Sequence, residues 1–223
     1  MKHGKKYRSA IEKVNRNKAY LIEEAVKFIK ENKSTKFDES VEIHIKTNID
    51  SKKSDQSVRG TVVLPYGTGK AKKIAVITST SVAEAKEAGA DIVGGEELID
   101  KISKKINFDV LVATPEMMPK LAKVAKILGP KGLMPNPKTE TVTMKIRETV
   151  EALKKGKAAF KNDDTGNIHQ IIGKVSFEEN KLSENIKTFL ESVSKVKPAG
   201  LKGKLVSSAT ICSTMGPGIK ISV

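Results

Sequence analysis

The stretch IAVITSTSVAEAKEAGADIVGGEELIDKISKKINFDVLVA, residues 74–113, decides the fold. It contains continuous apolar runs at 74–77 and 110–113 and a shorter one at 91–93, separated by segments with helical apolar spacing. Uninterrupted apolar strands that alternate with helices are typical of βαβ units around a buried parallel sheet. A further helix is predicted at about 115–128, where apolar and lysine side chains fall on opposite faces. This part of the chain is therefore predicted to be a doubly wound α/β structure.

Outside this stretch the apolar pattern changes to strict alternation. VEIHIK at 41–46 and IKISV at 219–223 alternate apolar and polar residues, which is typical of strands with one solvated face. Further strands are predicted at 58–64, 168–177 and 205–213, and amphipathic helices over 22–29 and 182–193. The fold class is therefore predicted to be α/β in the broad sense, with antiparallel strands flanking a parallel centre.

The simplest domain organisation is discontinuous. Residues 1–66 plus 159–223 are predicted to form an α+β domain, and residues 67–158 an α/β domain inserted into it. The pattern alone equally allows three small domains in series. Glycines flank both crossings and predict a hinge: Gly67, Gly69 and Gly156.

The net charge indicates the class of partner. Lys and Arg number 41 against 26 Asp and Glu, giving +15 and a pI near 9.7, and such a surplus attracts polyanions, nucleic acid above all. The alternatives are a basic protein without a polyanion partner and a protein of anionic membrane surfaces. No apolar run approaches the ~18–20 residues of a membrane span, and the basic first ten residues do not resemble a secretory signal.

The sequence contains only fragments of known catalytic and cofactor-binding motifs. GTGK at 67–70 continues with Ala71 into a strand, whereas a phosphate loop needs Ser or Thr there and a helix. Gly94-Gly95 lacks the GxGxxG spacing of dinucleotide folds. The three histidines, His3, His44 and His169, share no local metal-ligand spacing, and the single cysteine, Cys212, allows neither an internal disulfide nor a cysteine-based zinc site. We therefore expect no cofactor, no small-molecule substrate and no enzyme, although the α/β centre leaves a nucleotide-using enzyme as the competing hypothesis.

Two loops are candidates for contact with RNA. Aromatic residues make up only 4 % and tryptophan is absent, so recognition is expected to depend on phosphates, hydroxyls and backbone groups more than on stacking. The loop at 34–40 places Phe37 beside Lys36, ahead of the first alternating strand. The turn at 213–218 combines Thr214, which can hydrogen-bond a ribose 2′-OH, with glycines that permit close backbone approach. Ordinary turn chemistry explains both loops equally well.

Four stretches carry a resemblance to a known family. They are SVEIHIKTNIDSKKSDQSVRGTVVLPYGTGK at 40–70, ILGPKGLMPNPKTETV at 127–142, FKNDDTGNIHQIIGKVSF at 160–177 and STMGPGIKI at 213–221. KKSDQSVRGTVVLP and LGPKGLMPNPK are the most specific. With these motifs the chain resembles the bacterial large-subunit ribosomal protein L-one family, from KHGKKYR at its start to its last strand.

The resemblance implies a fold and a function. It implies a split domain from both chain ends with an inserted Rossmann-like domain, and an RNA-contacting surface on the split domain. It implies binding to large-subunit rRNA at a mobile stalk beside the tRNA exit site, help in releasing deacylated tRNA, and repression through the leader of the protein's own operon mRNA. The expected location is the ribosome in the cytoplasm. By motif, the implied RNA-binding residues are Lys36, Phe37, Lys174, Ser208, Thr214, Met215 and Gly216.

Overall fold

The computed structural model describes residues 4–15, 18–50, 56–79, 81–198, 200–201 and 203–222. Contacts divide the chain into two compact units: Met1–Gly69 with Ala158–Val223, called here the split unit, and Lys70–Lys157, called the inserted unit. The predicted mixed α/β class, with antiparallel and parallel sheets, is confirmed. That the two units are domains that fold and act separately stays a prediction.

The split unit is built on a four-stranded antiparallel sheet in the order β7-β1-β8-β9. These strands are β1 (Ser40–Thr47), β7 (Asn167–Lys174), β8 (Val206–Ser213) and β9 (Ile219–Ile221). A second sheet pairs β2 (Arg59–Val63) with β6 (Lys157–Lys161). Helices α1 (Lys5–Glu12), α2 (Ile22–Glu31) and α8 (Glu179–Lys195) complete the unit.

The core of the split unit lies on one face of the antiparallel sheet. Alternate residues of β1, Val41, Ile43 and Ile45, are fully buried there because a strand directs successive side chains to opposite faces. They pack with the apolar stripes of α2 and α8, whose buried members include Val26 and Phe189. The other face of the sheet therefore remains free of the core.

The inserted unit has a parallel sheet in the order β4-β3-β5, formed by β3 (Ile74–Ile77), β4 (Ile92–Gly94) and β5 (Val110–Ala113). All four residues of β3 are buried, two in each of the cores on either side of the sheet. Helix α4 (Glu96–Lys104) and the helical stretch 115–128 cover one side, and α3 (Val82–Glu87) and α7 (Ile146–Lys154) cover the other. This is the predicted doubly wound arrangement.

The stretch 115–128 differs from the single helix expected there. It alternates 3-10 turns, at Pro115–Met117 and Ala122–Val124, with the short helices α5 (Met118–Leu121) and α6 (Ala125–Leu128). Pro119 has no N–H to donate to the carbonyl of Pro115, and Met118 N–H bonds that carbonyl in a 3-10 turn instead. The expected buried face is nevertheless present, since Leu121, Val124 and Leu128 are buried.

The three glycines of the predicted hinge adopt backbone conformations that favour glycine. Gly67, Gly69 and Gly156 have φ of 62°, 74° and 108°. A Cβ on Gly69 would also come within 2.8 Å of the Lys174 side chain. These angles explain why glycine stands at the three positions, and hinge motion itself stays a prediction.

Candidate nucleic-acid interface

The face of the antiparallel sheet that is free of the core is polar. On β1 it presents Glu42, His44 and Lys46, which alternate with the buried residues of the same strand. On β8 it presents the partly exposed Ser208, Thr210 and Cys212. This face offers hydroxyl, imidazole and charged groups that can hydrogen-bond a nucleic acid.

The two candidate loops meet at one end of this sheet. Thr214 N–H donates to the carbonyl oxygen of Ser40 at 3.1 Å, and Ser40 N–H donates to Thr214 Oγ1 at 3.0 Å. The loop at 34–40 leads into β1, and the turn at 213–218 follows β8, which pairs with β1. The antiparallel register therefore brings together two segments that are distant in the sequence.

Exposed apolar side chains lie in the loops at this end of the sheet. Phe37 is 54 % exposed and Met215 is 57 % exposed, and Lys36 beside Phe37 is also exposed. The Thr35 hydroxyl oxygen lies 3.1 Å from the carbonyl oxygen of Phe37, within the same loop. An exposed aromatic ring next to a cation is suited to stacking on an unpaired base while the cation contacts a phosphate.

Lys174 lies at the same end, but its amine is held by the protein. Lys174 Nζ donates to Ser40 Oγ at 2.9 Å and lies 3.4 Å from the carbonyl oxygen of Asp38. Both partners are neutral, so the positive charge stays unneutralised by these contacts. Lys174 therefore adds positive potential beneath the loop at 34–40.

Thr214 retains capacity for one further hydrogen bond. Its Oγ1 accepts from Ser40 N–H and lies 3.4 Å from Ser40 O, a long distance for a hydroxyl donor. A hydroxyl has two lone pairs and one hydrogen. One lone pair thus remains to accept from a ligand hydroxyl, and the weak bond to Ser40 O can be exchanged.

Gly216 has no room for a side chain. A Cβ there would lie 2.5 Å from Ser213 Oγ, so Ser213 would have to move. Gly216 N–H donates to Ser213 O at 3.1 Å and closes the turn. Glycine at this position leaves Ser213 Oγ in place, in addition to allowing close approach of a ligand.

Ser208 lies apart from the other predicted residues. It pairs with Lys46 near the opposite end of β8. Ser213 follows it five positions later in the strand, roughly 17 Å away. The structure therefore brings six of the seven predicted residues to one end of the sheet and places Ser208 on the polar face beyond them.

Sequence reasoning missed two features of this region. The first is Glu39, a carboxylate at the junction of the loops that is only 1 % exposed. The second is a side-chain group on the polar face, where His44 Nδ1 lies 2.8 Å from His169 Nδ1 and His44 Nε2 lies 3.2 Å from Cys212 Sγ. The alternation of β1 indicates that His44 lies on a polar face, but only strand order and register show that His169 and Cys212 are its neighbours.

These groups do not form a metal site. Within the described ranges, no group of three or more His, Cys, Asp or Glu side chains is arranged to hold a metal ion. His3 lies outside the described residues. Lys70 of the GTGK segment pairs with Asp109 at 2.8 Å, and the segment leads into β3. Among the described helices, none is long and apolar enough to span a membrane.

Comparison with known proteins gives a consistent result over the whole chain. The model of the ribosomal protein L1p/L10e family matches residues 29–217. A large ribosomal subunit protein uL1 from Mesoplasma florum is 52 % identical over 224 residues, covering 100 % of this chain and 99 % of that protein. The protein of the same name from Fervidobacterium nodosum is 50 % identical over 225 residues, covering 100 % and 96 %. That from Phytoplasma australiense is 52 % identical over 223 residues, covering 99 % and 97 %.

Proposed function

Because the chain belongs to the ribosomal protein L1p/L10e family, we propose that it is a structural protein of the large ribosomal subunit that binds large-subunit rRNA. One observation supports the choice of RNA-binding site. The Lys36–Phe37 segment and the Thr214–Gly216 turn lie side by side, joined by the hydrogen bonds between Ser40 and Thr214. The protein works in the cytoplasm as part of the ribosome, and its role there is structural, not enzymatic.

In this proposal the groups at this end of the sheet contact different parts of the RNA. Lys36 contacts phosphates, and the charge of Lys174 attracts them; such interactions position the RNA without reading its sequence. Phe37 stacks on an unpaired base, and Met215 supplies an apolar contact next to it. The free lone pair of Thr214 Oγ1 accepts from a ribose 2′-OH, which distinguishes RNA from DNA. Gly216 permits close approach of the backbone, and Ser208 extends the contact along the polar face.

The net charge supports an RNA partner of considerable size. A surplus of +15 spread over both units gives long-range attraction to rRNA, and release of counterions contributes to the affinity. The paucity of aromatic residues limits stacking to positions such as Phe37. Affinity therefore comes mainly from charge, and specificity from the few groups at the end of the sheet.

We further propose that the protein forms a mobile stalk beside the tRNA exit site and assists release of deacylated tRNA there. The resemblance of the four motif stretches to the L-one family supports this role. In this proposal residues 1–66 plus 159–223 form the RNA-binding domain and residues 67–158 an inserted domain, with a hinge at Gly67, Gly69 and Gly156. The basic surface of the inserted domain, which includes the exposed Lys123 and Lys126, then faces the tRNA.

A second proposed role is translational repression through the protein's own operon mRNA. In this proposal the surface formed by the Lys36–Phe37 segment and the Thr214–Gly216 turn reads both the rRNA and the mRNA. The mRNA leader must then present a local structure like that of the rRNA site. The two RNAs compete for the protein, which is the requirement for feedback regulation.

The experiment that tests the rRNA site compares two exposed apolar side chains of the split unit. Phe37 and Leu21 are 54 % and 58 % exposed. Stacking of a base on an aromatic side chain contributes about 1–3 kcal/mol, so Phe37→Ala should weaken binding of an rRNA fragment by about tenfold or more. Leu21→Ala, which also removes an exposed apolar side chain, should leave binding unchanged. No loss in Phe37→Ala, or equal losses in both variants, would place the site elsewhere.

A further inference from the structure

Glu39 is a buried anion at the centre of a surface proposed to bind a polyanion. It is the last residue before β1 and is 1 % exposed. Carboxylates are almost never fully buried unless something compensates their charge. A negative charge under an RNA-binding surface also repels phosphates, so its presence at this position calls for another role.

The carboxylate accepts hydrogen bonds from both candidate loops. Glu39 Oε1 accepts from the Thr35 hydroxyl at 2.7 Å, and Oε2 accepts from Met215 N–H at 3.3 Å. Ser34 N–H and the Ser213 side chain donate to it as well. Two donors thus come from the loop at 34–40, and two come from the segment that begins at Ser213.

These donors keep the carboxylate ionised. Burial, the largest single influence, raises the pKa of Glu39, but the bonds from Ser213, Thr35, Met215 and Ser34 together hold the pKa below its usual range. All four donors are neutral, so the negative charge is stabilised by hydrogen bonds alone. An ionised carboxylate accepts at both oxygens, which a neutral amide of the same size cannot do.

We propose that Glu39 is a positioning residue for RNA recognition, whose carboxylate joins the Lys36–Phe37 loop to the Thr214–Gly216 turn without itself contacting RNA. The inference rests on the proposed rRNA site. Gly216 belongs to the same arrangement, because a Cβ there would displace Ser213 Oγ, one of the donors to Glu39. The relative placement of the aromatic ring and the turn therefore depends on one side chain.

Substitution of Glu39 has two effects on RNA affinity, and these effects have opposite signs. Removing a negative charge near bound RNA strengthens binding to any RNA sequence, since phosphate repulsion is lost. Losing the link between the loops weakens binding to the specific rRNA site only. Glu39→Gln changes both at once, whereas Glu31→Gln, at the exposed C-terminal end of α2, removes a charge without removing any hydrogen bond or ion pair recorded among the described residues.

The experiment titrates each intact variant with the rRNA fragment and with random RNA of equal length. For Glu39→Gln we expect binding to the rRNA fragment to weaken about tenfold or more, a change of about 1.4 kcal/mol. Binding to random RNA should stay equal or become slightly stronger. Glu31→Gln should bind both RNAs as tightly as the unaltered protein, or slightly more tightly.

A structural control separates positioning from general loss of stability. Amide hydrogen exchange in Glu39→Gln should increase at Met215 and Ser34 and stay slow at Ile43 and Ile211 of the sheet. Should Glu39→Gln fail to fold, Thr35→Val removes one donor at the partly exposed edge and should give a smaller loss in the same direction. Unchanged specific binding in the folded variant, or parallel losses on specific and random RNA, would overturn the proposal.

The outcome also distinguishes this inference from the proposed function. If Phe37→Ala weakens rRNA binding but Glu39→Gln does not, the site is correct and the positioning role is wrong. If neither variant weakens binding, the rRNA site itself lies elsewhere and both proposals fall.

Discussion

His44 and His169 face each other across β1 and β7 with their Nδ1 atoms 2.8 Å apart. At that distance one ring must donate a proton that the other accepts, so two imidazolium rings cannot coexist there without repulsion. Burial, and then the positive charge of His169, lower the pKa of His44, and the carboxylate of Glu42 opposes this shift. Cys212, beside His44 on β8, remains a neutral thiol because burial and Glu42 raise its pKa.

The depressed pKa of His44 predicts a loss of stability on acidification. Between its depressed folded pKa and its ordinary unfolded pKa, the unfolded chain binds more protons than the folded protein. The free energy of unfolding therefore falls as pH decreases through the ordinary range of histidine. Urea unfolding should show lower stability at about pH 5.5 than at about pH 7.5, and His44→Asn should reduce that difference. A difference of unchanged size in His44→Asn would show that other groups cause it.

The split unit is predicted to be sufficient for rRNA binding. Both loops and Glu39 lie outside residues 67–158, so a variant in which a short glycine linker replaces those residues should retain the site. Its affinity for the rRNA fragment should stay within about tenfold of the intact protein, a difference of about 1.4 kcal/mol. Circular dichroism and cooperative unfolding check that the shortened chain is folded. A folded variant that binds about a hundredfold more weakly would place the main site in residues 67–158.

A side chain at Gly216 is predicted to harm specific binding selectively. Gly216→Val would displace Ser213 Oγ and would block close approach of RNA to the turn. Binding to the rRNA fragment should weaken by about tenfold or more, whereas random RNA, held by charge, should bind as before. Gly4→Val is the matched control, because a Cβ at Gly4 meets no atom within 4 Å. Equal losses of affinity for the rRNA fragment and for random RNA would contradict this prediction.

Repression by mimicry predicts competition between the two RNAs. The rRNA fragment should displace the mRNA leader, and Thr214→Ala should weaken both complexes together. Feedback also requires the rRNA to bind more tightly, and a tenfold preference corresponds to about 1.4 kcal/mol, roughly one good hydrogen bond. A titration with both RNAs carrying different labels measures this order. Simultaneous binding of the two to one protein molecule, or tighter binding of the leader, would rule the mechanism out.

The strands were predictable where burial leaves a clear pattern. β3 and β5 were predicted to the residue because continuous apolar runs are bounded by polar residues. β1 was predicted over 41–46, one residue short at each end of Ser40–Thr47, because its apolar and polar residues alternate. Helix α1 was missed because none of its residues is buried, so it has no apolar stripe. Helix α7 carries a stripe at Ile146, Val150 and Leu153, a signal that was present and overlooked.

Only those residues of the site that belong to local motifs were predictable from the sequence. Lys36, Phe37 and Thr214 were identified by motif and loop chemistry, but their closeness depends on the pairing of β1 with β8 across more than half of the chain. Glu39 was missed because an acidic residue in a basic protein suggests solvent exposure. Its burial follows from donors in the distant 213–218 turn, which no local pattern indicates.

The most direct test of the central claim locates the RNA on the intact protein. The rRNA fragment is crosslinked to the protein by ultraviolet light, and the crosslinked peptides are identified by mass spectrometry. The account predicts crosslinks in the 34–40 loop, above all at Phe37, and in the 213–218 turn at Met215, with both lost when unlabelled rRNA fragment competes. Crosslinks confined to residues 67–158, with neither loop modified, would contradict it.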